Sequence, residues 1–166
     1  VSARGSGTGD DAPRGQIYVM SADGGEAWKL TDAKEGVASY SWAPNNAQIA
    51  FVSTEPRTSD EEAAIRKRDD ERVFEGDFRY QHVWRIELAS KTATRLTEGK
   101  GYTVTGAPSW APDSTRLVFS AKPTTMIRDY RSDVYILDVS AKSVEKISTN
   151  AGPDVNPSWS PDGSLI

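Results

Sequence analysis

The sequence predicts an all-β chain: a partial β-propeller of about three four-stranded blades, with a short helical insertion. Two observations carry this. One unit recurs three times with the same internal spacings, and each copy breaks into four short apolar runs separated by turn residues. The repeats span about 16–53, 82–120 and 133–166, inside a propeller unit covering 1–166, with an insertion at 54–81.

Each repeat opens on a β-branched or aromatic run: Ile17-Tyr18-Val19, His82-Val83-Trp84 and Val134-Tyr135-Ile136. A turn follows, Ala22-Asp23-Gly24-Gly25 in the first repeat and Ser140-Ala141-Lys142-Ser143 in the third. The second run ends on Leu30-Thr31, Leu96-Thr97 or Ile147-Ser148, and Ile17–Leu30, Val83–Leu96 and Val134–Ile147 are each 13 positions apart. The third run ends on Ser41-Trp42, Ser109-Trp110 or Ser158-Trp159.

Pro44-Asn45, Pro112-Asp113 and Pro161-Asp162 then predict a turn. Proline presets φ, and the Asn or Asp side chain accepts from its own backbone. The fourth run begins 7 positions after each tryptophan, at Ile49, Leu117 and Ile166. The repeated tryptophans are expected to be buried anchors between blades, with a ligand-stacking platform as the alternative.

Both ends of the chain fall within the fourth type of run, and a propeller typically closes with about 4–8 blades. The expectation is therefore a piece of a longer protein or an assembly of copies, with self-association through raw blade edges.

In the insertion, Ser59 and Glu62 fit a helix capping box, and a short helix is expected from Ala63. Nine acidic and six basic residues lie between Glu55 and Arg79. They read as a solvated, salt-bridged excursion or as a lid whose Glu61 and Glu62 meet a substrate ammonium group. Arg79, Arg128 and Arg131 are candidate carboxylate or carbonyl grips near the strand starts. The alternative for Arg14, Arg79 and Arg131 is pairing with Asp11, Asp77 or Asp129.

Composition narrows the function classes. A net charge of −4 argues against nucleic acid, and no apolar run approaches the roughly 18–20 residues of a membrane helix. The chain has no cysteine and one histidine, His82, so neither a thiolate nor a multi-histidine metal site is expected, and no cofactor. The segment Arg4-Gly5-Ser6-Gly7-Thr8-Gly9 lacks the lysine of a phosphate loop. There is no Gly-x-Ser-x-Gly elbow, and His82 reads as a strand-end residue, so no catalytic residue is expected. A cytoplasmic protein is expected, with the periplasm as alternative.

The pattern Ser-Trp-(Ala/Ser)-Pro-(Asp/Asn)-x3-(Ile/Leu)-x-Phe, carried by Ser41–Phe51 and Ser109–Phe119, resembles the propeller repeat of TolB and of the prolyl oligopeptidase family. The insertion followed by Phe78-Arg79-Tyr80-Gln81-His82-Val83-Trp84 looks like the acylaminoacyl-peptidase and dipeptidyl-peptidase branch of that family. The resemblance implies a propeller that covers a C-terminal α/β-hydrolase domain, absent from this chain, which carries the serine, aspartate and histidine. The propeller would admit short peptides and exclude folded proteins. In the dipeptidyl branch, insertion acids bind the peptide amino terminus, a role the resemblance carries to Glu61 and Glu62. The rival reading is a TolB-like propeller that binds a protein partner and has no enzyme attached.

Overall fold

In the computed structural model, residues 14–66, 79–126 and 129–166 are described. The described part is almost all strand, as the repeats predict. Strands β1 (Tyr18–Val19) and β2 (Trp28–Lys29) form a two-stranded sheet. Strands β3 (Ser39–Trp42), β4 (Gln48–Thr54), β5 (Gln81–Glu87) and β6 (Ala93–Arg95) form a four-stranded antiparallel meander, blade I. Strands β7 (Thr103–Trp110), β8 (Arg116–Lys122), β9 (Asp133–Asp138) and β10 (Ser143–Lys146) form blade II. Beyond β10 the chain makes one more turn, in which the Ser160 amide donates to the Leu165 carbonyl at 2.9 Å.

The sheets are phased half a repeat later than the sequence units. Each unit contributes its first two strands to one sheet and its last two to the next, giving two complete blades flanked by two half-blades. The insertion therefore lies within blade I, joining β4 to its hydrogen-bonded neighbour β5. Its helix α1 (Ser59–Arg66) is capped one residue earlier than expected. Glu61 Oε2 accepts from the Thr58 amide at 2.7 Å, and Thr58 Oγ1 accepts from the Glu61 amide at 3.3 Å. Both Thr58 and Ser59 have a glutamate three residues on; Thr58 wins as the residue whose carbonyl already accepts from the Glu62 amide.

The turn prediction holds in all three repeats. Asn45, Asp113 and Asp162 each accept the amide two residues on, at 3.0, 2.9 and 3.1 Å. The residue between has positive φ, 57° at Asn46, 60° at Ser114 and 73° at Gly163. Ser114 holds this disfavoured geometry while accepting the Asn45 amide of blade I at 3.1 Å.

The tryptophan expectation needs correction at one position. Trp110 is an inter-blade anchor, 6% exposed, with its indole N–H donating to the Ser41 carbonyl at 3.3 Å. Trp159 is half-buried under the Arg116 guanidinium, 4.7 Å from its ring centre. Trp42 is 45% exposed. Each anchor is covered by the inner hairpin of the preceding blade, and the described residues supply no such hairpin against β3.

The blade I–blade II core is the larger of two, built from Val52, Val83, Leu96, Val104, Leu117, Phe119 and Leu137 with Trp110. Tyr102 completes it by stacking 5.1 Å from Tyr135, with Phe119 5.6 Å from Tyr135. At the equivalent interface between β1–β2 and blade I, Phe51 stacks on Trp84 at 6.2 Å. A cavity of 330 Å³ remains beside these two rings. The connection from Leu30 to Trp42 is two residues shorter than that from Leu96 to Trp110, and it has no counterpart of Tyr102.

Candidate functional site

A polar clasp closes every repeat. The hydroxyl of Thr31, Thr97 or Ser148 accepts the amide of Ile17, Val83 or Val134, at 2.8, 3.0 and 3.0 Å. The same hydroxyl meets the preceding side chain: Gln16 Oε1 at 2.8 Å, His82 Nδ1 at 3.3 Å, Asp133 Oδ1 at 3.1 Å. The clasp went unread because Gln, His and Asp do not look like one repeated position. The signal was the hydroxyl residue, always 14 positions after the β-branched one.

His82 is thus a fully buried structural residue. Burial, aided by the Arg95 charge, pushes its pKa down to about 4 against the pull of Glu55. The imidazole is neutral and sealed under the strands.

Above these clasps, at the end where β4 and β8 finish and β5 and β7 start, lies a cleft of 450 Å³. Thr54 and Gln81 of blade I face Thr103, Thr105 and Lys122 of blade II across it, with Thr124 and Met126 on the rim. The long connections after β4 and after β8 both leave the sheets at this end. The Gln81 amide donates to Thr103 Oγ1 at 3.0 Å, joining the two walls. Among the described residues Lys122 has no ion pair. Its ammonium and the threonine hydroxyls offer donors and acceptors suited to a carboxylate or a peptide backbone. Neither Lys122 nor the threonines stood out in the sequence, because they converge only across two blades.

Arg79 lines the cleft, but its guanidinium is engaged. It lies 2.7 Å from Glu35 Oε1 and donates to Glu35 Oε2 and to the Glu55 carbonyl, both at 3.0 Å. Arg14 also approaches Glu35, at 3.7 Å. The acid these arginines share is Glu35; the expected partners Asp11 and Asp77 lie outside the described residues. The Arg79 contact, more than offsetting burial, holds the Glu35 carboxyl below its ordinary range. Arg131 takes the acid expected for it, donating to both oxygens of Asp129 at 2.9 Å. Thr124 on the cleft rim donates to Asp129 Oδ2 at 3.0 Å, tying that pair to the cleft wall. Arg128 lies outside the described residues.

Glu61 and Glu62 are exposed on α1. The Thr58 amide, by donating to the Glu61 carboxylate, lowers its pKa. Its first role is thus to cap the helix.

Glu35→Gln is expected to cost about 2 kcal/mol, since it removes the counter-charge of a largely buried guanidinium while leaving one acceptor. Urea unfolding measures this, and a loss below about 0.5 kcal/mol would place the pair among ordinary surface ion pairs.

No family model matches the chain. It is 32% identical over 139 residues to the uncharacterized peptidase YuxL of Bacillus subtilis (strain 168), a match covering 74% of this chain and 20% of that protein. The chain thus spans about a fifth of that relative's length. Among solved structures, TolB from Acinetobacter baumannii superposes with a TM-score of 0.62 at 21% identity, covering 90% of this chain and 30% of TolB. One from a study of two prolyl endopeptidases gives 0.58 at 15% identity, covering 98% and 24%.

Proposed function

Starting from a partial β-propeller with TolB-like repeats, similar in sequence to a peptidase, we propose that this chain is the substrate-gating segment of a serine peptidase. The peptidase would hydrolyse short peptides near their amino terminus, in the manner of acylaminoacyl- or dipeptidyl-peptidases. The catalytic triad would reside in an α/β-hydrolase domain packed on the propeller, and the propeller would contribute size exclusion and charge placement. The observation that carries the reading is that both long connections and the threonine-lined cleft share one end of the blades. Lys122 would meet a peptide carbonyl or carboxylate there. Glu61 and Glu62, standing on the insertion, would attract the ammonium end. A cytoplasmic site of action goes with this reading.

The test uses the full-length polypeptide and chromogenic acyl-peptide and dipeptide substrates, with a serine-directed covalent inhibitor as control. Inhibitor-sensitive hydrolysis is expected. Lys122→Ala should raise KM about 5- to 10-fold with kcat nearly unchanged, the signature of lost uniform binding. Hydrolysis with an unchanged KM would remove Lys122 from the site.

The second reading is a TolB-like protein-binding module, periplasmic and without an enzyme, favoured by the match to TolB over 90% of the chain. Absence of hydrolysis of substrates that a control peptidase turns over would select it.

A further inference from the structure

By the repeat spacing, Phe119, Tyr135 and Leu137 of blade II recur in blade I as Phe51, Trp84 and Ile86. In blade II a third ring completes the packing. Tyr102, from the connection between β6 and β7, lies 5.1 Å from Tyr135 and 6.0 Å from Phe119. Val144 of β10 packs against the same cluster. Beside the matching rings of blade I lies the 330 Å³ cavity instead. One of its walls is Phe51, Trp84 and Ile86, with Ala93 where blade II has Val144. The other is the β2–β3 connection, from Leu30 to Glu35. Both walls lie well inside the sequence, on described residues between Leu30 and Ala93.

The polar groups of the lining divide in two. The Ser53 hydroxyl donates to the Gly36 carbonyl at 2.6 Å, and the Thr31 hydroxyl is held in its clasp with Gln16. Glu35 faces Arg79 at 2.7 Å, and Lys29 takes Asp32 at 2.6 Å. Lys34 on one wall and Lys91 on the other are exposed, and among the described residues neither has an ion pair. The Trp84 indole N–H is buried with no acceptor among the described residues. An aromatic wall with two such cations beside it is complementary to an aromatic anion.

We propose that this cavity binds a small planar aromatic carboxylate. Its ring takes, against Trp84 and Phe51, the place that Tyr102 takes against Tyr135 and Phe119. Its carboxylate lies between the ammonium groups of Lys34 and Lys91. The volume is at the lower end of the roughly 300–1,000 Å³ of ligand pockets, which limits the occupant to one or two fused rings. Ring stacking sets the orientation, and the lysines select the sign of the charge. The cavity and the cleft between blades I and II share Thr54 alone, so the inference stands apart from the peptidase reading.

Equilibrium dialysis of the full-length polypeptide against 2-naphthoate and its neutral amide tests the proposal. A Kd of about 1 mM or below is expected for the carboxylate, and binding of the amide about 5-fold weaker. Lys34→Ala/Lys91→Ala should weaken the carboxylate about 5-fold and leave the amide unchanged. Ala33→Phe puts a ring into the space from its own wall and should abolish binding of both. No retention of 2-naphthoate, equal affinity for acid and amide, a lysine variant that binds the acid as the parent does, or binding that survives Ala33→Phe would each overturn the proposal. The two lysines are exposed, so their variant carries the test even where Ala33→Phe does not fold.

Discussion

Phe119→Ala is expected to destabilise the chain by about 4 kcal/mol, and Phe51→Ala by about 1 kcal/mol less. The two phenylalanines hold the same repeat position, and both are buried in their inter-blade cores. Truncation removes the same atoms from a buried position in each case. The difference lies in what the ring touches. Phe119 is 5.6 Å from Tyr135 and 6.0 Å from Tyr102, which also contact each other, so its loss breaks into a three-ring cluster. Among the described residues Phe51 has one ring partner, Trp84, beside a cavity of 330 Å³ that already leaves part of its surroundings unfilled. Urea unfolding of both variants gives the difference, and in a Tyr102→Ala background the gap should close. Equal losses in the parent chain would show that Tyr102 adds nothing beyond filling space.

The same pair of interfaces explains how much could be read beforehand. Blade count, strand order and the Asx turns at Asn45, Asp113 and Asp162 are local properties repeated three times, so periodicity exposes them. Trp42 was read as buried because its motif matches Trp110, but burial depends on the neighbouring blade, which a local motif does not contain. The phase of the sheets was hidden for a related reason. The repeat is cyclic, and only hydrogen bonding across the insertion shows that β4 and β5 are partners. The candidate site was the least legible part. Arg79 stood out as a charged residue before a strand, but its partner Glu35 is 44 positions away. Lys122 and Thr103 belong to blade II and meet Gln81 of blade I only through the fold. Arg131 and Asp129, two positions apart, were readable as a pair.

His82 provides the second large effect, a loss of stability in mild acid. Its Thr97 partner accepts the Val83 amide and lies 3.3 Å from His82 Nδ1. Among the described residues Nε2 has no hydrogen-bond partner, and Glu55 Oε2 stands 3.8 Å away. The folded chain therefore holds a neutral imidazole with a pKa near 4, while the unfolded chain titrates near the ordinary 6.5.

Between these values the unfolded state binds more protons, so stability rises with pH. The full contribution is present above about pH 6.5 and is lost as pH falls towards 4, amounting to about 3 kcal/mol over the window. Above about pH 5 carboxylates contribute little, so the upper half of the loss belongs to the imidazole. His82→Gln should flatten it. The first repeat already uses glutamine at this position, with Gln16 Oε1 accepting from Thr31 Oγ1 at 2.8 Å, so the clasp can survive the change. Urea midpoints at pH 7.5, 6, 5 and 4.5 for both proteins decide the matter: a parent chain whose midpoint does not fall between pH 7.5 and 5 carries no buried neutral histidine. If the variant keeps the parent's slope, the proton uptake lies elsewhere.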